Sequence, residues 1–182
     1  ALLDRLGVAL RKSERTGLPG ALLFIDLDDF KRVNDHEGHE AGDAVLVEVA
    51  RRLRAHTRDA DTVARLGGDE FVVLLDQLEP DLPAAEHHAS AVATKLLGAL
   101  REISVGGASC SASIGVTLFV GQGQSREQLM ARADTAMYQA KRAGKNHAHV
   151  LGAEVAPRAL PTPAAGAAPE RFSRQCGMDG HA

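Results

Sequence analysis

Residues 62–76 read TVARLGGDEFVVLLD, two runs rich in apolar and β-branched side chains on either side of Gly67 and Gly68. Runs of that kind around a glycine pair make a β-hairpin, in which glycine supplies the positive φ of a tight turn. Directly after the turn stand Asp69 and Glu70, two adjacent carboxylates where one polar residue would serve. Upstream, ALLFIDL at residues 21–27 is a short continuous apolar run broken near its end by Asp26. Its composition predicts a strand buried on both faces.

The segments around these strands complete an α+β pattern. Leu2, Leu6 and Leu10 recur every four residues with Leu3 beside them, which predicts a helix over residues 2–15, ending before Gly17-Leu18-Pro19. Leu46, Val49, Ala50 and Leu53 share one helical face after Gly42 and Asp43. A helix over 84–101, a strand over 109–119, a helix over 126–143 and a short strand over 147–151 follow, with Gly144 at a helix C-terminal cap. After the first helix the order is strand, helix, strand, strand, helix, strand. That is the ferredoxin-like βαββαβ antiparallel sheet with helices on its faces, here with an appended C-terminal helix and strand. Residues 1–151 are expected to form one domain. Residues 152–182 carry Pro157, Pro161, Pro163 and Pro169 among alanines and are expected to be a disordered tail or linker.

In such a sheet the first strand runs antiparallel to the second strand of the hairpin, so Asp26 is expected to converge with Asp69 and Glu70. Three carboxylates at one sheet edge repel one another unless a cation neutralises them, and hard oxygen ligands favour Mg²⁺ or Mn²⁺. Such an ion is normally shared with substrate phosphates.

Composition excludes several other classes. The chain of 182 residues is 45% hydrophobic and 25% charged, with a formal net charge of -3, which gives no electrostatic reason to expect a nucleic acid polymer or an anionic membrane. No run of about 18 apolar residues is present to span a bilayer, and the start is amphipathic and charged, unlike a signal peptide. The chain reads as cytoplasmic. Cys110, in a predicted strand, and Cys176 are too isolated for a disulfide framework and are expected to be free thiols. His36-Glu37-Gly38-His39 superficially resembles a metal motif, but zinc spacing of that type needs a helix and Gly38 argues for a loop. His87 and His88 are expected on a solvated helix face.

The ordered set FIDLDDFKRVND (24–35), GHEAGD (38–43), RDAD (58–61), GGDEF (67–71), SASIGVT (111–117) and ADTAMYQAKRAGKN (133–146) resembles the diguanylate cyclase, or GGDEF domain, family. The resemblance covers residues 2–151. It implies a palm-like cyclase fold and the condensation of two GTP into cyclic di-GMP with release of two pyrophosphates. Each domain would hold one GTP, so a homodimer would be needed for catalysis.

By that resemblance Asp26, Asp69 and the main-chain carbonyl of Leu27 bind Mg²⁺ or Mn²⁺, and Asp69 or Glu70 helps deprotonate the ribose 3′-hydroxyl. Gly67 and Gly68 shape the substrate turn. Asn34 and Asp43 match the guanine-reading positions; read without the resemblance, Asn34 is a turn residue and Asp43 a helix N-cap. Phe30 and Lys31 open a turn where backbone N–H groups and an ammonium meet the β- and γ-phosphates, with Lys141 and Lys145 approaching the same triphosphate. The family more often has Arg where Lys145 stands, which exchanges a bidentate contact for a point charge. Arg58 and Asp61 match a product-inhibition site, and Lys95 aligns with its second basic residue; taken by itself, the Arg58 and Asp61 pair reads as an exposed ion pair.

The family's Asp-x-Leu-Thr-Gly-Leu-x-Asn-Arg stretch does not precede the first helix here. The chain is therefore expected to be truncated at its N-terminal end, with a sensory or receiver domain upstream in the intact protein. The rival reading is a catalytically inactive domain that binds cyclic di-GMP or GTP for regulation; intact Asp26, Asp69 and Glu70 argue against it.

Overall fold

The computed structural model describes residues 2–121 and 123–154. Most of the expected tail, residues 155–182, lies outside them, together with Cys176; residues 152–154 still reach the helix α5 (Arg126–Arg142), where the guanidinium of Arg132 donates to the carbonyl of Gly152 at 2.5 Å.

Strand β1 (Gly20–Leu27) is buried at all of its residues, as a strand covered on both faces must be. It pairs antiparallel with β3 (Glu70–Leu75) on one side and with β6 (Ala112–Phe119) on the other. The hairpin partner β2 (Thr62–Gly67) forms one edge of the sheet, and β7 (Ala148–Leu151), parallel to β6, forms the other. The order β2-β3-β1-β6-β7 is the expected ferredoxin-like sheet with one strand added.

Alternation along the strands separates two apolar layers. Leu23, Ile25, Phe71 and Val73 face α3 (His39–Ala55) and α4 (Leu82–Arg101), joined by Phe30 and Val33 from α2 (Phe30–Glu37). Leu22, Phe24, Val72 and Leu74 face Leu6 and Ala9 of α1 (Leu2–Thr16) and Leu129, Ala133 and Met137 of α5 (Arg126–Arg142). Caps set two of the helices: Asp81 accepts from the Ala84 amide at α4, and Ser125 with Gln128 forms a capping box at α5.

Three local expectations are corrected. The helix predicted after Gly42 and Asp43 begins at His39, because the break falls at Gly38 (φ 87) between α2 and α3; Asp43 lies inside α3 and caps nothing. Phe30 and Lys31 open α2 rather than a turn, and Asn34 is helical within it. The strand expected from residue 109 begins at Ala112, since β4 (Ser104–Val105) and β5 (Ala108–Ser109) make a separate small hairpin. Cys110 falls between β5 and β6, a free buried thiol whose pKa burial pushes up to about 11.

Gly115 of β6 sets how closely α5 lies on the sheet. A Cβ there would come within 2.1 Å of the Met137 amide nitrogen and 2.3 Å of the Ala133 carbonyl oxygen. The helix backbone therefore rests directly on the strand backbone. Gly115→Ala is expected to destabilise the domain by about 2 kcal/mol, because backbone has to give way. Gly98→Ala, with open space around the added methyl inside the last turn of α4, is expected to stabilise it by about 0.7 kcal/mol. Urea unfolding of both variants checks the pair.

Candidate active site

The β1–β3 register places Asp26 opposite Glu70, and directly opposite residues on antiparallel strands project to the same face. That face is the α5 side, since Asp26 shares its parity with Leu22 and Phe24. Asp69 precedes β3 at the hairpin tip, and its carbonyl accepts from the Leu27 amide at 3.2 Å, which binds the turn to the end of β1. At the tip only Gly68 needs the left-handed region (φ 52); Gly67 remains in β2, and a register irregularity lies between Arg65 and Gly67. Arg65 closes the turn by donating twice to the Gly68 carbonyl, at 2.7 and 3.0 Å.

Asp26 is 7% exposed, and its Oδ1 lies 2.7 Å from the Lys141 ammonium in the last turn of α5. Burial raises its pKa above the ordinary carboxylate value, the Lys141 hydrogen bond opposes that, and Asp69 reinforces it. Glu70 is raised too, first by burial and then by the charges of Asp26 and Asp69. Among the described residues no three His, Cys, Asp or Glu side chains are gathered to hold a metal by themselves, so the expected trio does not close into one side-chain cluster. Hairpin geometry is the reason, because Asp69 and Glu70 are consecutive and only Glu70 stands in register with Asp26. Asp26 and Glu70, desolvated and mutually repelling, with the Asp69 charge close enough to raise both and its backbone tied to Leu27, remain a fitting donor set for a hard divalent cation that takes further oxygens from a substrate.

The residues expected around the triphosphate gather at the same end of the sheet. Phe30 and Lys31 begin α2 behind Asp29, which adopts φ 54 and gives no side-chain cap, so the first helical N–H groups face the β1–α2 loop. Gly144 (φ 122) turns the chain out of α5, and the Lys145 ammonium reaches Asp29 Oδ1 at 2.7 Å. Asn34 lies against Gly42, where a Cβ would overlap its side-chain oxygen, so α2 and α3 cross closely. Asp43, next in sequence, is exposed at the head of a cleft of about 510 Å³ lined by Leu46, Val47 and Phe71.

Residues 1–147 match the family model described as diguanylate cyclase, GGDEF domain. The chain belongs to this family. The GGDEF domain is 47% identical over 146 residues to the bifunctional diguanylate cyclase/cyclic di-GMP phosphodiesterase MucR of Pseudomonas aeruginosa, covering 79% of this chain and 20% of that protein. It is 42% identical over 138 residues to the diguanylate cyclase TpbB of the same species, covering 76% and 32%. The solved GGDEF domain of TpbB superposes with a TM-score of 0.75 at 39% identity, covering 82% of this chain and 92% of that one. The GGDEF domain of DgcB from Caulobacter crescentus, solved in complex with c-di-GMP, gives a TM-score of 0.73 at 25% identity, covering 82% and 88%. The matches span from 17% to 33% of the length of the curated relatives.

A second cleft, of about 240 Å³, brings Arg58 and Asp61, from the connection before β2, together with Lys95 of α4. Arg58 and Asp61 are not an ion pair. Asp61 accepts from the Arg58 amide at 2.9 Å, which holds the turn, while the Arg58 guanidinium turns to His88 Nε2 at 3.3 Å. His88 in turn meets Glu79 through Nδ1 at 2.8 Å, so it is held within the cleft and not solvated as expected. Asp28 is a second residue that the motifs did not single out: it is 6% exposed and accepts hydrogen bonds from Ser111, Ser113 and the Asn146 amide.

The raised pKa of Asp26 has a sign that stability can test. Between the unfolded carboxylate value of 3.8 and the raised native value, the folded state binds more protons, so stability falls as pH rises through that window. Asp26→Asn is therefore expected to raise the unfolding midpoint at neutral pH, by about 1 kcal/mol in free energy. The advantage should vanish below the ordinary carboxylate range, where both states are protonated. Thermal unfolding in chelator-containing buffer at several pH values measures it.

Proposed function

We propose that this GGDEF domain is a diguanylate cyclase that condenses two GTP into cyclic di-GMP and two pyrophosphates, acting in the cytoplasm as a homodimer in which each domain presents one GTP. The observation that carries the reading is the complete Gly67–Phe71 signature, set on a hairpin whose register places Glu70 opposite the desolvated Asp26. Relatives named as diguanylate cyclases support it.

In this reading Asn34 and Asp43 recognise guanine: a carboxylate accepts from the base N1–H and N2–H₂, whereas adenine presents the wrong pattern and leaves polar groups unpaired. The first amides of α2 with Lys31, Lys141 and Lys145 hold the β- and γ-phosphates, and Gly67 and Gly68 leave the turn open to the substrate. Asp26, Asp69 and the Leu27 carbonyl would hold Mg²⁺ or Mn²⁺, which supplies charge neutralisation at the phosphates when bound. The 3′-oxygen of one GTP forms a bond to the α-phosphorus of the other, the bond from that phosphorus to the bridging oxygen breaks, and pyrophosphate leaves. Asp69 or Glu70 accepts the 3′-hydroxyl proton. Repetition with the roles reversed closes the ring. Placing two substrates in line accounts for most of the rate, because little covalent work falls to the protein.

The Arg58, Asp61 and Lys95 cleft is assigned to product inhibition. Arg can fork onto guanine O6 and N7 and Asp can take the Watson–Crick edge, while Lys95 contributes a point charge where an arginine would contribute a fork. A sensory or receiver domain elsewhere in the intact protein would govern the encounter of two such domains.

Incubation of concentrated protein with GTP and Mg²⁺, with chromatographic detection of cyclic di-GMP, tests the proposal. Product should rise more steeply than linearly with protein concentration, and Asp69→Ala should lower it by at least about a thousandfold while retaining the fold. Absence of product from an enforced dimer, with cyclic di-GMP still bound, would replace the cyclase with a regulatory receptor. Arg58→Ala is expected to weaken inhibition by added cyclic di-GMP by about tenfold or more, read from initial rates against product concentration.

A further inference from the structure

We propose that Asp28 is a positioning residue that fixes the turn carrying Lys145 and thereby sets the triphosphate contacts of the substrate site. The inference rests on the reading of that site as one for GTP. Asp28 is nine-tenths buried at the end of β1, and its partners are donors on neutral groups: Ser111 Oγ at 2.6 Å and the Asn146 amide at 2.9 Å on Oδ2, and Ser113 Oγ at 2.7 Å on Oδ1. A buried carboxylate is costly to keep, and here its oxygens are spent on joining β1, the start of β6 and the α5–β7 turn.

The turn needs such a tie. Gly144, Lys145 and Asn146 adopt φ 122, 62 and 48 in succession, and the left-handed region, open to glycine and tolerated by asparagine, is unfavourable for Lys145. A disfavoured conformation persists only where its surroundings over-determine it. Asp28 takes the Asn146 main-chain amide from one side, and Arg101 of α4 donates to Asn146 Oδ1 at 2.7 Å from the other. Lys145, one residue earlier, is thereby presented to Asp29 on the β1–α2 loop, beside the first amides of α2. Asp28 and Asp29 thus divide the work: Asp28 holds the backbone, and Asp29 holds the ammonium that is to exchange its carboxylate for a phosphate.

Asp28→Asn conserves shape, but one amide oxygen replaces two acceptors and an NH₂ is turned on a hydroxyl or amide donor. The test uses the full chain in Mg²⁺, with amide hydrogen exchange and with calorimetric binding of GMP and of a GTP analogue carrying a methylene between the α- and β-phosphates. Asp28→Asn is expected to speed exchange at Asn146 and to weaken the analogue by about tenfold while leaving GMP within about twofold. In a Lys145→Ala background it is expected to add no further loss.

Unchanged exchange would overturn the clamp. Faster exchange with unchanged analogue affinity, or equal losses for GMP and the analogue, would overturn its role at the triphosphate. Additive losses in the Lys145→Ala background would show that Asp28 does not act through Lys145. A wild-type domain that binds the analogue no better than GMP would instead overturn the GTP reading, and this inference with it. If Asp28→Asn does not fold, Ser111→Ala removes one donor without touching the carboxylate and carries the same readouts, with a smaller loss.

Discussion

Strand β1 is dry on both faces for its whole length, yet it ends in acid, and the register with β3 determines which carboxylate stands opposite. Shifting that pairing by one residue would send Asp26 to the α3 and α4 side and turn the apolar alternation of both layers inside out. The two hydrophobic layers therefore hold the register, and the register holds the carboxylates together. Burial that stabilises the sheet also raises the pKa of Asp26 and Glu70. The same apolar packing thus keeps the domain folded and gives its acidic edge an appetite for positive charge.

Positive charge arrives from above the sheet. Lys141 reaches Asp26 only because α5 lies with its backbone on Gly115, which fixes the height and the axial position of its last turn. Beyond that turn the chain runs through three residues of positive φ before entering β7, and those residues aim Lys145 at the β1–α2 loop. Helix α5, its glycine seat and its left-handed exit form one device for placing two ammonium groups around one acidic edge.

The carboxylate edge was legible in the sequence because β-pairing is periodic: once residues 21–27 and 62–76 are read as strands in a ferredoxin-like order, Asp26 and Glu70 have nowhere else to go. Lys141 as the partner of Asp26 was not legible, since a helix's height over a sheet depends on side-chain volumes summed across the interface. The β4–β5 hairpin has two residues per strand, too few for alternation to register. The apolar face that marks helix α3 in the sequence starts at Leu46, whereas its backbone turns at Gly38. Nothing in the pair of adjacent acids Asp28-Asp29 tells the buried one from its neighbour, and His88 meets Arg58 across thirty residues that no local pattern spans.

Helix α1 is fastened at the opposite end of the sheet from the acidic edge. Lys12 pairs with Asp76 after β3 at 2.6 Å, and Ser13 donates to the Leu18 carbonyl while accepting from the Gly121 amide. From there to Asp26 is the length of β1, about 20 Å of close-packed strand with no seam. A force applied to α1 has no soft element to bend on the way. It steers the whole body, carrying the acidic edge to a new place and bearing with its shape unaltered, as a tiller moves a rudder blade.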